Sequence, residues 1–232
     1  MDFSRILSGL CIGLGIFLAS QPLAKSLDNF IATKKTVVVK GLSEKEVKAD
    51  LAIWPITVKE VGNDLVALQT KIVFDKKTIS DYLTELGFEK DEIVESPVSV
   101  IDHFSDDYNN SPRFRYAIQL TISLRTQKVD VAKKAMEGTG KLISQGIVIL
   151  PPQYENGIEF SYTALNEIKP DMIREATEAA RQAAEQFAKD STSKVGTIKS
   201  AQQGQFSIID RDKGSPDYKI VRVVNTMEYF LN

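Results

Sequence analysis

From Phe114 to Leu124 every second residue is a large apolar one, and few foldings are open to a chain that carries such a segment. Phe114, Tyr116, Ile118, Leu120, Ile122 and Leu124 fall on one side, with Arg113, Arg115, Gln119, Thr121 and Ser123 on the other. A period of two means a β-strand with one dry face, which needs a sheet around it and a cover of helices or a second sheet. Two segments supply covers. After Asn63, read as a helix cap, Leu65, Leu68, Ile72, Ile79, Leu83 and Leu86 recur at helical spacing up to Gly87. After Pro170, Asp171, Glu175 and Glu178 near one end and Lys189 and Lys194 near the other match a helix dipole in a segment that stops at Gly196.

The remaining elements follow from turn signals. Thr36 to Lys40 is short and β-branched, Gly41 to Glu44 reads as a turn, and Glu46 to Lys59 as a second strand, together a hairpin. Within that second strand the apolar phase slips from Val47, Ala49, Leu51 and Ile53 to Trp54, Ile56 and Val58, which beside Pro55 predicts a β-bulge or an edge position. Further strands are expected over Glu95 to Phe104, around Ile147 to Leu150 and Ile158 to Ala164, and over Ile198 to Ile209 and Tyr218 to Leu231. A helix over Val131 to Ser144, capped by Asp130, is weakened by Gly138 and Gly140. The order gives an α+β fold with antiparallel sheets built from strand pairs and interposed helices covering them, preceded by an N-terminal apolar helix. Residues 36–232 form the folded part, either whole or as two subdomains dividing near 127, where no linker composition marks a boundary.

Residues 6–24 carry no charge and about reach the length of a membrane span. Two readings are open: a retained inner-membrane anchor with the domain in the periplasm, or a secretory signal cleaved at Ala24-Lys25-Ser26 to leave a soluble periplasmic protein. Residues 26–35 form a tether in either case. Lys25, Lys34 and Lys35 follow the segment while only Arg5 precedes it, so the charge rule for orientation does not favour export. Cys11, the sole cysteine, lies in this segment after Leu10, which argues against a lipidated cysteine and leaves the folded part without thiol or disulfide chemistry.

Chemistry-bearing residues are sparse. Charged residues make up 26% of the chain and sum to a net charge of -2, so no basic face selects nucleic acid. His103 is the only histidine. With Asp102, Asp106 and Asp107 nearby it falls short of a metal's ligand count, and no G-x-S-x-G elbow provides a nucleophile for it to activate. Gly138-Thr139-Gly140 lacks the lysine of a phosphate loop and reads as a weak helix interior. Glu44, Glu46 and Asp50 could form an acid-base pair but alternate with apolar residues as a solvated strand face does. No catalytic, cofactor or metal residues are assigned, and an enzyme is not expected. A periplasmic enzyme or small-ligand carrier with an unrecognised site is the alternative.

Two features speak of association. Ala176, Ala180, Ala184 and Ala188 form a stripe of small side chains, read as core packing with self-association as the alternative. Tyr218 to Leu231 is apolar on both faces, with Val221, Val223, Met227, Tyr229 and Leu231 on one and Ile220, Val224 and Phe230 on the other, and so needs two covers. The alanine helix is one. The second is another subunit or, as the alternative, the first helix of the same chain. Trp54, the sole tryptophan, is read as core or interface, and with Pro55 it marks the bend that a second subunit would meet; Trp54, Pro55, Val224 and Phe230 are the candidate interface residues, and the expected partner is a second copy.

Val38 through Ile56, VVKGLSEKEVKADLAIWPI, resembles the opening of SIMPL-domain proteins, in particular the branch with an N-terminal membrane segment. Ile173-Arg174-Glu175-Ala176 through Ala188, followed by Lys194-Val195-Gly196-Thr197-Ile198, resembles that family's late helix and following strand. The resemblance spans about residues 36 to 231. It implies an α+β envelope protein, often exported, in a family with members that assemble into large rings or channel-like oligomers and members linked to oxidative-stress defence. It supplies no catalytic residues.

Overall fold

A computed structural model describes residues 35–105, 113–151 and 157–232. The apolar segment 6–24 with its cleavage site, Cys11, and Asp106 and Asp107 lie outside them. No helix among the described residues is long and apolar enough to cross a membrane. The fold is α+β with antiparallel sheets, in two compact units that are discontinuous in sequence. Of the described residues, the first unit takes those up to Lys45, Asn166–Ser207 and Val221–Asn232; the second takes Glu46–Leu165 and Ile208–Ile220. Residue 127 lies inside the second unit, so the chain does not part there.

The second unit is built on the alternating segment. Strand β5 (Tyr116–Thr126) buries Ile118, Leu120, Ile122 and Leu124 and exposes Gln119 and Arg125. Strand β2 (Leu51–Gly62) pairs along one edge of β5 in unbroken antiparallel register from Ala52↔Thr126 to Gly62↔Tyr116. Along the other edge lie β3 (Ile93–Glu95) and β4 (Ser99–Asp102), where one strand was expected. Pro97, which has no N–H to give the ladder, separates them. Strand β6 (Glu159–Ser161) pairs with the start of β2, and around Ile147 to Leu150 only a single bridge, Val58↔Ile149, forms.

Helix α1 (Leu65–Glu85) covers this sheet with Leu68, Ile72, Ile79, Tyr82 and Leu83. Its cap is Asp64, not Asn63: the Asp64 carboxylate accepts from Val66 N and Ala67 N, while the Asn63 side chain accepts from Arg115 N at 2.9 Å. The helix expected over 131–144 is broken into α2 (Val129–Glu137) and α3 (Gly140–Ser144). A Cβ at Gly138 would stand 2.7 Å from the Tyr82 hydroxyl, which donates to Ala135 O at 2.6 Å, so the break admits a tyrosine from α1. Asp130 does not cap α2 but pairs with Lys48 at 2.6 Å.

The expected opening hairpin does not form. Strand β1 (Thr36–Lys48) runs straight through Gly41 to Glu44, the chain turns at Ala49 and Asp50, and β1 and β2 belong to different sheets. No β-bulge forms at the slip in apolar phase: pairing is unbroken through Pro55↔Ser123, so Ile53 and Trp54 are neighbours on opposite faces of β2, with Trp54, Ile56 and Val58 on the buried one. Proline is tolerated there because its nitrogen points away from β5. Thr57, of the same backbone orientation, accepts from Leu150 N on the opposite edge, and β6 has already ended at Ile53.

Strand β9 (Tyr218–Leu231), which belongs to the first unit from Val221 on, is flanked by β1 and β7 (Val195–Gln203); β8 (Ser207–Asp210), in the second unit from Ile208 on, also pairs with it. The strand expected over 198–209 is divided near Gly204, where a Cβ would sit 2.2 Å from Val224 O. Helix α4 (Leu165–Asp190) starts before Pro170 and ends before Gly196. In its first two turns a proline forgoes a single backbone bond. The end is a left-handed residue, Thr192 (φ 56), with Ser193 N bonded back to Ala188 O at 2.8 Å.

Met172, Ala176, Ala180, Ala184 and Ala188 face the sheet, and Ala180 and Ala184 join Val37, Met227 and Tyr229 in a core. The stripe is thus core packing. Its small side chains let strand and helix approach so closely that a Cβ on Gly41 would fall 1.9 Å from Ala176 O and 2.3 Å from Ala180 N. This approach, and not a turn, is what Gly41 provides.

Candidate functional site

Two hydrogen bonds set the pairing of β1 with β9: Leu231 N to Lys35 O at 2.9 Å and Ala49 N to Asp217 O at 2.8 Å. They make it antiparallel and put Val37, Val39, Gly41 and Ser43 under α4, with Val38, Lys40, Leu42 and Glu44 on the opposite face. On that outer face Leu42 lies opposite Val224 and Thr36 opposite Phe230. Val38 is 61% and Leu42 46% exposed, and Val224 and Phe230 are half-buried. A polar clasp crosses the same face: Lys199 Nζ and Thr36 Oγ1 donate to Glu228 at 2.9 and 2.8 Å and hold its pKa below the usual carboxylate range.

Of the four candidate interface residues, the structure brings Val224 and Phe230 to this one surface. Trp54 and Pro55 are not part of it. Trp54, 4% exposed, packs in the core of the second unit beneath α1, and Pro55 is half-buried on the other side of β2. Val38, Lys40, Leu42 and Glu44 were missed. The signal for them is the run Val37-Val38-Val39, which is apolar on both faces as β9 is.

The chemistry-bearing residues are engaged elsewhere. Arg115 donates to both Asp102 oxygens, at 3.0 to 3.2 Å, and with the Phe104 N–H keeps that carboxyl ionised well below its ordinary range. The guanidinium also lies 4.9 Å from the Tyr116 ring. His103 is tied by its backbone, donating to Arg115 O at 2.8 Å. Glu46 pairs with Arg211 at 2.7 Å, and Asp50 accepts from Thr163 N, Thr163 Oγ1 and Ala164 N, pinning the loop before α4. Glu44 has no ion pair among the described residues. No three His, Cys, Asp or Glu side chains among them converge as metal ligands.

A depression of about 520 Å³ in the second unit is lined by Glu89, Glu92, Arg125, Thr126 and Lys128 among others. Burial pushes Glu92 up, but bonds from Thr126, the Glu89 N–H and Lys128 outweigh it and hold the group below the usual carboxylate range. A general acid at neutral pH needs the opposite shift.

A family model described as SIMPL, protein of unknown function (DUF541), matches residues 37–226. The chain belongs to the SIMPL family. The match runs from β1 into β9 and so enters both units of the SIMPL protein; Val38, Leu42 and Val224 of the outer face lie within it and Phe230 lies beyond it. No curated protein matches the chain.

One buried charge in the SIMPL protein stands apart. Asp75 on α1 is 0% exposed, its Oδ1 is 3.4 Å from Lys71 Nζ and its Oδ2 has no partner. Lys71 is shared with Glu60 at 3.1 Å. Burial raises the pKa of Asp75; Lys71 opposes this, and the Glu60 charge adds to it. With the folded value above the unfolded one, the stability tied to protonated Asp75 is full below the ordinary aspartate range and is lost as pH rises through the folded value. Asp75→Asn keeps the shape without the charge, and its amide can donate to Glu60. It is expected to gain about 1–2 kcal/mol at pH 8 and to flatten the fall in stability that the parent shows from pH 4, in the ordinary aspartate range, up to pH 8. Urea titrations at the two pH values check this; a variant less stable than the parent at pH 8 contradicts it.

Proposed function

We propose that this SIMPL protein is a non-enzymatic component of the bacterial cell envelope that acts through self-assembly. The observation that carries the reading is the first unit's sheet, dressed by α4 on one face while Val38 and Leu42 stand exposed beside Val224 and Phe230 on the other. An apolar sheet face that a monomer leaves in water is better buried against a second copy. The ion pairs at Asp102 and Glu46 support the absence of a reaction centre, since those groups are spent on structural partners. Placement at the inner membrane through residues 6–24 with the domain in the periplasm, its alternative as a cleaved soluble protein, and a part in oxidative-stress defence are proposals that rest on the family resemblance. No cofactor and no nucleic acid enter this reading.

Val224→Asp tests it by placing a charge in the middle of the outer face. In light scattering on the detergent-solubilised full chain the variant is expected to lose the parent's assembled mass while its circular dichroism and thermal transition persist. An unchanged mass in a variant that still folds overturns the reading.

A further inference from the structure

The free edge of β1 carries a pattern that matches itself. Because Lys35 and Ala49 direct their backbone groups at β9, the other odd-numbered residues of β1 do so too. Lys40, Leu42 and Glu44 therefore point their N–H and C=O groups away from it. Among the described residues no strand pairs with that edge, β1 being terminal in the sheet order. An unpaired edge of this length is a template for another strand. The same three residues expose their side chains on the outer face, and Lys40 and Glu44 have no ion pair among the described residues.

Antiparallel pairing of two β1 strands about a two-fold axis at Leu42 sets Leu42 against Leu42. Lys40 then faces Glu44 of the second copy twice, once on each side of the axis. All three are bonded positions, so the register uses the backbone groups that are free. An axis at Lys40 or at Glu44 instead brings identical charges together. A lysine in an edge strand ordinarily repels a visiting strand. Here a glutamate two positions beyond Leu42 turns that repulsion into selection of a second copy in one register.

We infer that the SIMPL protein dimerises edge to edge, β1 against β1, with Leu42 on the axis and Lys40–Glu44 pairs beside it. The inference rests on the self-assembly reading and adds, to the outer face which that reading buries, a second contact along the edge of the same sheet. Two sets of variants in the full chain test it. With Cys11→Ser as background, Leu42→Cys supplies the only thiol. Bonded partners lie about 5.5 Å apart between Cα atoms, within disulfide reach, so mild oxidation is expected to give a disulfide-linked dimer as the main species. Lys40→Glu and Glu44→Lys are each expected to weaken dimerisation about tenfold, and the double swap to restore it. A parent that is monomeric overturns self-assembly and this contact together. In a parent that assembles, absence of the Leu42→Cys cross-link, or single charge variants of unchanged affinity, overturns this contact alone.

Discussion

Gly41→Ala is expected to destabilise the first unit by about 3 kcal/mol or more, at the upper end of what overpacking a core costs. The reason is geometric. The added Cβ falls 1.9 Å from Ala176 O and 2.3 Å from Ala180 N, both backbone atoms of α4, and no rotamer change relieves a clash with backbone. Strand and helix must separate, which also strips contacts from Val37, Met227 and Tyr229. Gly140→Ala is the control, with nothing within 4 Å of its Cβ, and is expected to stay within about 1 kcal/mol of the parent. Denaturant titration distinguishes the two. A Gly41→Ala variant as stable as the control would mean that α4 does not lie on β1 as described.

Trp54→Ala is expected to cost about 3–5 kcal/mol and to leave the mass of the remaining folded protein unchanged. Trp54 faces α1 from β2, paired with Leu124 in register, in the same core as Ile56, Ile72 and Leu83. Removing the indole leaves a cavity that α1 can close only by moving. An interface residue behaves in the opposite way, altering assembly and sparing stability. A variant that keeps the parent's denaturation midpoint but loses mass would move Trp54 from the core to a contact surface.

The sequence disclosed what depends on local period. The alternation in β5 and the one-sided alanines of α4 appear in the structure as read, because a strand with one dry face and a helix with one small-residue stripe each bury that side. Pairing between distant segments was not legible. Lys35 meets Leu231, and nothing near Thr36 announces that its partner is the last strand and not the next one. Gly41 illustrates the ambiguity, since glycine serves a turn and a close approach alike, and only the position of α4 decides. The true turn, at Ala49 and Asp50, carries no glycine or proline.

The candidate surface was half legible for the same reason. Val224 and Phe230 show themselves as apolar residues on the wet side of a strand, but Leu42 joins them only through the β1–β9 register. Trp54 is as apolar as any interface residue and is claimed by α1, a cover that begins eleven positions further along the chain, at Leu65.

Self-association is the property on which the proposed function stands. Sedimentation velocity of the detergent-solubilised full chain across a micromolar concentration series, corrected for bound detergent, measures this directly. A protein mass of two copies or more is predicted. A mass of one copy throughout the series would contradict the account.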